Sequence, residues 1–168
     1  SGVKQWTKQF GTSLDDIAND ITIDSSNNIY ITGSTGCGHS WKVTDDCPSN
    51  LTGLDGNTFS GSSDIFLVKY NTSGKRLWTR QLGTEKWDSG NEVTVDSSNN
   101  IYITGSTGSG LDGNTSSGDN DTFLVKYNSS GVKQWTKQFG TSLDDIANDI
   151  TIDSSNNIYI TGSTGCGH

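Results

Sequence analysis

The string DSSNNIYITGSTG stands at residues 24–36 and returns unchanged at 96–108 and at 153–165. Each copy opens on a polar turn and runs into alternating Ile, Tyr and Thr, the pattern of a strand leaving a hairpin. The offsets between successive copies are 72 and then 57. FLVKYN (66–71 and 123–128) and LDGNT (54–58 and 111–115) also recur at 57, which is therefore the period of the basic unit. Its first copy is longer, because CGHSWKVTDDCPSNLTG at 37–53 replaces the Ser-Gly pair at 109–110. One long and one short unit give a period of 129, and residues 1–39 recur without a change at 130–168.

Each unit carries four strand patterns and no helical period: IANDITID (17–24), NIYITG (28–33), IFLVKY (65–70) and RLWTRQL (76–82). DSSNN predicts a tight hairpin with Asn27 in the left-handed region, which Asn tolerates. Asn71-Thr-Ser-Gly74 and Asn128-Ser-Ser-Gly131 predict type I turns that end on a left-handed Gly. Two hairpins per unit make a four-stranded antiparallel meander. One such sheet cannot bury both faces alone, and its recurrence every fifty or so residues is the signature of a propeller blade. Trp6, Trp78 and Trp135 hold the same place in the fourth strand, so they are expected between neighbouring blades.

Composition agrees and narrows the function. Leu, Ile, Val and Phe make up 34 of 168 residues, about a fifth, which borders on the disordered class. The 21 glycines and lone Pro48 read instead as short strands with many turns. A net charge of −8 without a basic cluster argues against nucleic acid as a partner. No apolar run reaches the length of a membrane span. The absence of Met and of a secretory leader suggests a mature piece or an excerpt.

The runs Asp-Ser-Ser-Asn-Asn-Ile-Tyr-Ile-Thr-Gly, Phe-Leu-Val-Lys-Tyr-Asn-Ser-Ser-Gly and Gln-Trp-Thr-Lys-Gln-Phe-Gly resemble the bacterial and archaeal SBBP β-propeller repeat family. The resemblance covers nearly the whole chain outside the insert. It implies secreted or surface proteins with blades in tandem, and it brings no catalytic residues to transfer. Near-identity between units departs from the diverged blades usual in propellers.

Candidate chemistry is sparse. Cys37 and Cys47 bracket the insert, and an extracellular setting favours a disulfide between them. Zinc is the rival, with His39 and Asp45 or Asp46, on a spacing that matches no established pattern. Cys166 copies Cys37. Asp55, Asn57 and Asp64, with Asp112, Asn114, Asp119 and Asp121, gather hard oxygens in Gly-rich loops that could supply part of a calcium site. They miss the EF-hand spacing, and solvated Asx turns are the plainer reading. Asp15-Asp16 recurs at Asp144-Asp145, with Asp88 aligned to Asp16, as turn-capping residues would. GSTGCG and GSTGSG precede no helix, so they are not phosphate loops. His39 and His168 are the only histidines, and no nucleophile–base arrangement exists. Asn50, Asn71, Asn114, Asn120 and Asn128 begin glycosylation sequons.

These features predict an all-β protein of tandem four-stranded antiparallel blades. Residues 1–10 would be a terminal strand completing a preceding blade. Residues 11–82 would form a blade with a disulfide-stapled insert at 37–53, 83–139 a second blade, and 140–168 the first half of a further one. No cofactor is expected beyond calcium. The expected role is a non-enzymatic building block of an extracellular or cell-surface assembly, a fibre or repeat array, with adhesion as a secondary use. Its partners would be copies of itself or neighbouring repeats, head to tail, and surface glycans. A glycan-binding propeller using Trp41 and Trp87 is the alternative, and a propeller enzyme is weaker still.

Overall fold

Three copies of the Asp-Ser-Ser-Asn-Asn turn fold alike and set the architecture. Asp24 Oδ1 accepts the N–H groups of Ser26 and Asn28, both at 2.9 Å, and Oδ2 accepts Asn28 Nδ2 at 2.8 Å. Asp96 and Asp153 repeat the arrangement. Asn27, Asn99 and Asn156 take φ of 59°, 61° and 63°, the left-handed position expected of them. At the other hairpin, Asn71 Oδ1 accepts the N–H of Ser73 and Lys75, and Gly74 closes the turn at φ 73°. Asn128 and Gly131 do the same.

These turns generate an all-β fold, with no α-helix among the described residues. The computed structural model describes residues 2–37 and 52–165. The first sheet contains β1 (Asp15–Ile23), β2 (Ile29–Gly36), β3 (Ser63–Tyr70) and β4 (Arg76–Leu82), hydrogen-bonded in chain order. The second contains β5 (Asp88–Val95), β6 (Ile101–Thr107), β7 (Asp121–Tyr127) and β8 (Lys133–Phe139), in the same order. β9 (Asp144–Ile152) and β10 (Ile158–Gly165) form a two-stranded third sheet. All pairings are antiparallel. The blades stack through their inner strands: β5 packs on β1, β2 and β3, and β9 packs on β5, β6 and β7.

β3 is buried at every position, because both of its faces are covered. Ile65 and Leu67 face the second blade and join Val93, Ile101, Ile103, Phe123 and Val125 in the largest apolar cluster. Phe66, Val68 and Tyr70 face the opposite way, with Phe10 packed on them. A strand buried on both sides reads as a continuous apolar run, which is why IFLVKY does not alternate.

Each inner hairpin contains a bulge that tolerates one extra residue: Asn19 in β1 and Asn91 in β5 lie at the register shifts. The bulged amides reach the next blade. Asn19 Nδ2 donates to Gly90 O at 2.9 Å, and Asn91 Nδ2 to Ala147 O at 2.8 Å. Bulges re-aim side chains in this way.

One expectation is corrected. Residues 2–14 form no strand. A fourth strand needs a third to pair with, and among the described residues none stands beside this segment. The segment nevertheless occupies the outer-strand place, with Trp6 against Gly74 and Phe10 on Phe66 at 5.7 Å. Trp78 lies against Gly131 in the same manner one unit later.

Candidate functional site: the blade junctions

Trp78 is the pivot of the outer junction between the first two blades. It stands 6.0 Å from Tyr30 at an interplanar angle of 56°, with the Arg80 guanidinium 5.2 Å over its ring. Arg80 Nε donates to Gly131 O at 2.6 Å, and Lys69 Nζ to Ser129 O at 3.1 Å. Two cations and an indole from one blade thus clamp the Asn128–Gly131 turn of the next. Gly131 is required twice over. Its φ is 74°, and a Cβ there would lie 3.0 Å from the Trp78 ring. Gly131→Ala should therefore destabilise the protein by about 1–3 kcal/mol, from left-handed strain and overpacking. A denaturant melt checks this; an unchanged midpoint would mean that the turn is not clamped.

The sequence placed all three tryptophans between blades. Trp78 is there, half-buried. Trp6 is 39% exposed, though its indole N–H reaches Thr72 O. Trp135 is half-buried and packs on Tyr102 of its own blade at 6.1 Å.

Inside the junction, recurring carboxylates cap the turn that links blade to blade. Asp16 accepts the N–H and hydroxyl of Thr12 on Oδ2 and the Thr35 hydroxyl on Oδ1. Asp88 accepts the same groups of Thr84, and the Thr107 hydroxyl. Asp145 is bonded by Thr141 and Thr164. The second aspartate of each pair, with Asp88 at the equivalent place, thus caps a turn.

The proposed calcium residues are distributed rather than gathered. Asp55 pairs with Arg76 and the Thr79 hydroxyl, and Asp112 with Lys133 and Thr136. Asn57 and Asn114 donate to Leu54 O and Leu111 O, closing short 3-10 turns. Asp119 is exposed. Asp64 and Asp121 are fully buried, each with Oδ2 bonded to a turn N–H and a glutamine amide. Among the described residues no group of three or more His, Cys, Asp or Glu could hold a metal ion.

The sequon residues divide. Asn120 Nδ2 donates to Asp144 at 2.7 Å and Asn114 Nδ2 is likewise engaged, while Asn71 and Asn128 use their Oδ1 atoms in turns. Asn50, Trp41, His39, Asp45, Asp46, Cys47, Cys166 and His168 lie outside the described residues. Cys37, directly after β2, is disulfide-bonded, and its pairing with Cys47 stays a proposal. Trp87 is half-buried beside Ser63.

A feature the sequence reading missed lies on the inner strands. Asp20, Glu92 and Asp149 hold equivalent positions just after the bulge in successive blades. Burial, a hydrogen bond with Asp20 and the charges of Asp20 and Asp149 push the Glu92 carboxyl up to about 7. The offsets of 72 and 57 that superpose the turns and the apolar positions also superpose these acids, so the repeat alignment itself could have found them.

Matches to known proteins fall on the same repeats. The β-propeller repeat family SBBP matches at residues 5–36, 77–112 and 134–165. The chain belongs to that family. Two curated proteins are similar to it. An uncharacterized WD repeat-containing protein of Acanthamoeba polyphaga mimivirus is 29% identical over 95% of this chain and 13% of its own length. The regulatory protein FlaEY of Caulobacter vibrioides is 34% identical over 79% of this chain and 15% of its own. The chain therefore spans a small part of either relative.

Proposed function

We propose that this SBBP protein is a non-enzymatic structural repeat protein whose blades join head to tail into an extracellular or cell-surface array, with adhesion as a secondary use. The observation that carries this reading is the repeated stacking of the sheets: β5 packs on β1, β2 and β3, and β9 packs in the same way on β5, β6 and β7. Between the second blade and the third sheet, Leu124, Phe139, Ile158 and Ile160 line a cavity of about 600 Å³. In the preceding junction the equivalent Ile101 and Ile103 are covered by Phe123 and Val125 of β7.

β10 has the sequence of β2, and β2 pairs with β3 from Ile29↔Tyr70 to Gly36↔Ser63. The edge of β10 thus suits a strand of the β3 type, offered by the next repeat of a longer polypeptide or by another copy. Unpaired strand edges favour such additions, and a head-to-tail contact propagates or closes into a ring. The engagement of the recurring carboxylates in turns supports a structural rather than a catalytic role.

Electron microscopy of native material should show a periodic object built from blades. A glycan array tests the alternative: selective binding of one sugar class would favour a glycan-binding propeller, whereas a scaffold binds none selectively.

A further inference from the structure

A pair of carboxylates at each blade junction converges on a glycine. A Cβ on Gly83 would press on Asp64 Oδ1 and lie 3.1 Å from Asp88 Oδ2. At the next junction a Cβ on Gly140 would press on Asp121 Oδ1 and lie 3.0 Å from Asp145 Oδ2. Asp64, Asp88 and Asp121 are 0% exposed, and Asp145 is 6% exposed. Asp64 Oδ1 and Asp121 Oδ1 have no hydrogen-bond partner among the described residues.

A buried carboxylate oxygen without a donor is costly, and the Asp64 charge works against ionisation of Asp88 across the junction. No ion pair to either carboxylate forms among the described residues. The packed elements supply neutral groups instead: Thr35 pairs opposite Asp64 from β2, Gln81 comes from β4 and Thr107 from β6. The β4–β5 connection supplies Thr84, Glu85 and Lys86. The Glu85 carboxylate is turned to Ser109, and Lys86 lies near Glu85. On β4, Arg80 reaches away to Gly131, and on β1 Asp16 is occupied by Thr12 and Thr35.

We infer that Asp64 and Asp88 share one proton across the blade junction, carried on Asp64 Oδ1 and directed at Asp88, so that the junction is held by a carboxyl–carboxylate contact that opens as pH rises. The assignment follows from the donors. Both oxygens of Asp88 already accept, Oδ2 from Thr84 N–H and Thr84 Oγ1 and Oδ1 from Thr107 Oγ1, whereas Asp64 takes Ser60 N–H and the Gln81 amide on Oδ2 and leaves Oδ1 without a partner among the described residues. Burial pushes both Asp64 and Asp88 up, with the Asp64 charge adding to the rise at Asp88. A raised folded-state pKa means that the folded protein binds the extra proton. The stability it contributes is complete below the ordinary aspartate value of about 3.9 and is lost as pH rises through the raised one.

The test is a carbon-13 NMR titration of the side-chain carboxyls in the unmodified protein, joined to thermal melts of wild type and Asp64→Asn from about pH 4 to about pH 8. The Asp64 carboxyl should titrate above the ordinary aspartate value. The asparagine variant, whose amide replaces the shared O–H, should gain stability relative to wild type as pH rises. Titration of Asp64 at or below its ordinary value would overturn the inference, whether or not the variant folds. So would a wild-type-to-variant difference that stays constant with pH. A calcium-dependent rise in melting temperature seen in wild type and absent in Asp64→Asn would also overturn it, by making the pair a cation site.

Discussion

Trp78→Ala should lower the stability of the protein by about 3 kcal/mol, the lower end for a large aromatic because the ring is half-buried. Three contacts go at once: the face on Tyr30, the cation–π contact with Arg80 and the packing on the Gly131 turn. Trp135→Ala is the internal comparison. Trp135 has the same place in the next blade and the same ring partner, Tyr102 for Tyr30. No turn of a following blade lies on it among the described residues. Its loss should therefore cost less, and the difference between the two variants in denaturant melts measures the contact between blades. Equal losses would mean that the clamp on Gly131 contributes nothing.

Asp96→Ala should cost a similar amount, by a different route. The carboxylate accepts Ser98 N–H at 2.9 Å, Asn100 N–H and Asn100 Nδ2 at 2.8 Å, and the hydroxyl of buried Tyr102 at 3.1 Å. Removing it strands those donors, at about 1–3 kcal/mol for each that stays buried, so the expected total is about 3 kcal/mol. The same site predicts a pH dependence of opposite sign to that of the junction pairs. Burial pushes Asp96 up, but the donors from Asn100, Tyr102 and Ser98 outweigh it and hold the carboxyl below its ordinary value. A lowered folded-state pKa gives stability that is present above the ordinary value and lost as pH falls through the lowered one. Asp96→Ala should therefore flatten the acid side of the stability profile. A parallel profile in wild type and variant would contradict this.

The repeats made most of the fold legible. DSSNN and NTSG are turn chemistry that acts over a short stretch of chain, so Asn27, Gly74 and Gly131 could be placed from local physics alone. RLWTRQL at 76–82 has the bounds of β4, and the other strands differ slightly at their ends. Burial on both faces of β3 was not read from the sequence, although IFLV at 65–68 lacks the alternation of a half-buried strand. What escaped depends on approach between units. Asp64 and Asp88 stand on different blades, and Gly83 gives no sign in sequence that two carboxylates will meet beside it. Residues 1–10 repeat the fourth-strand sequence, yet 2–10 form no strand, because a ladder requires a neighbour and local sequence does not supply one. The site was less legible than the fold for the same reason: the loop aspartates looked alike in sequence, and only their partners separate a turn cap from an ion pair.

Sheets that stack alike, β5 on β1–β3 and β9 on β5–β7, are proposed to continue in the same way from one repeat to the next. Analytical ultracentrifugation of the 18.0 kDa chain over a range of concentrations tests this most directly. The account predicts an average mass that rises with concentration, in steps of one chain. A single compact 18.0 kDa species at every concentration would contradict it.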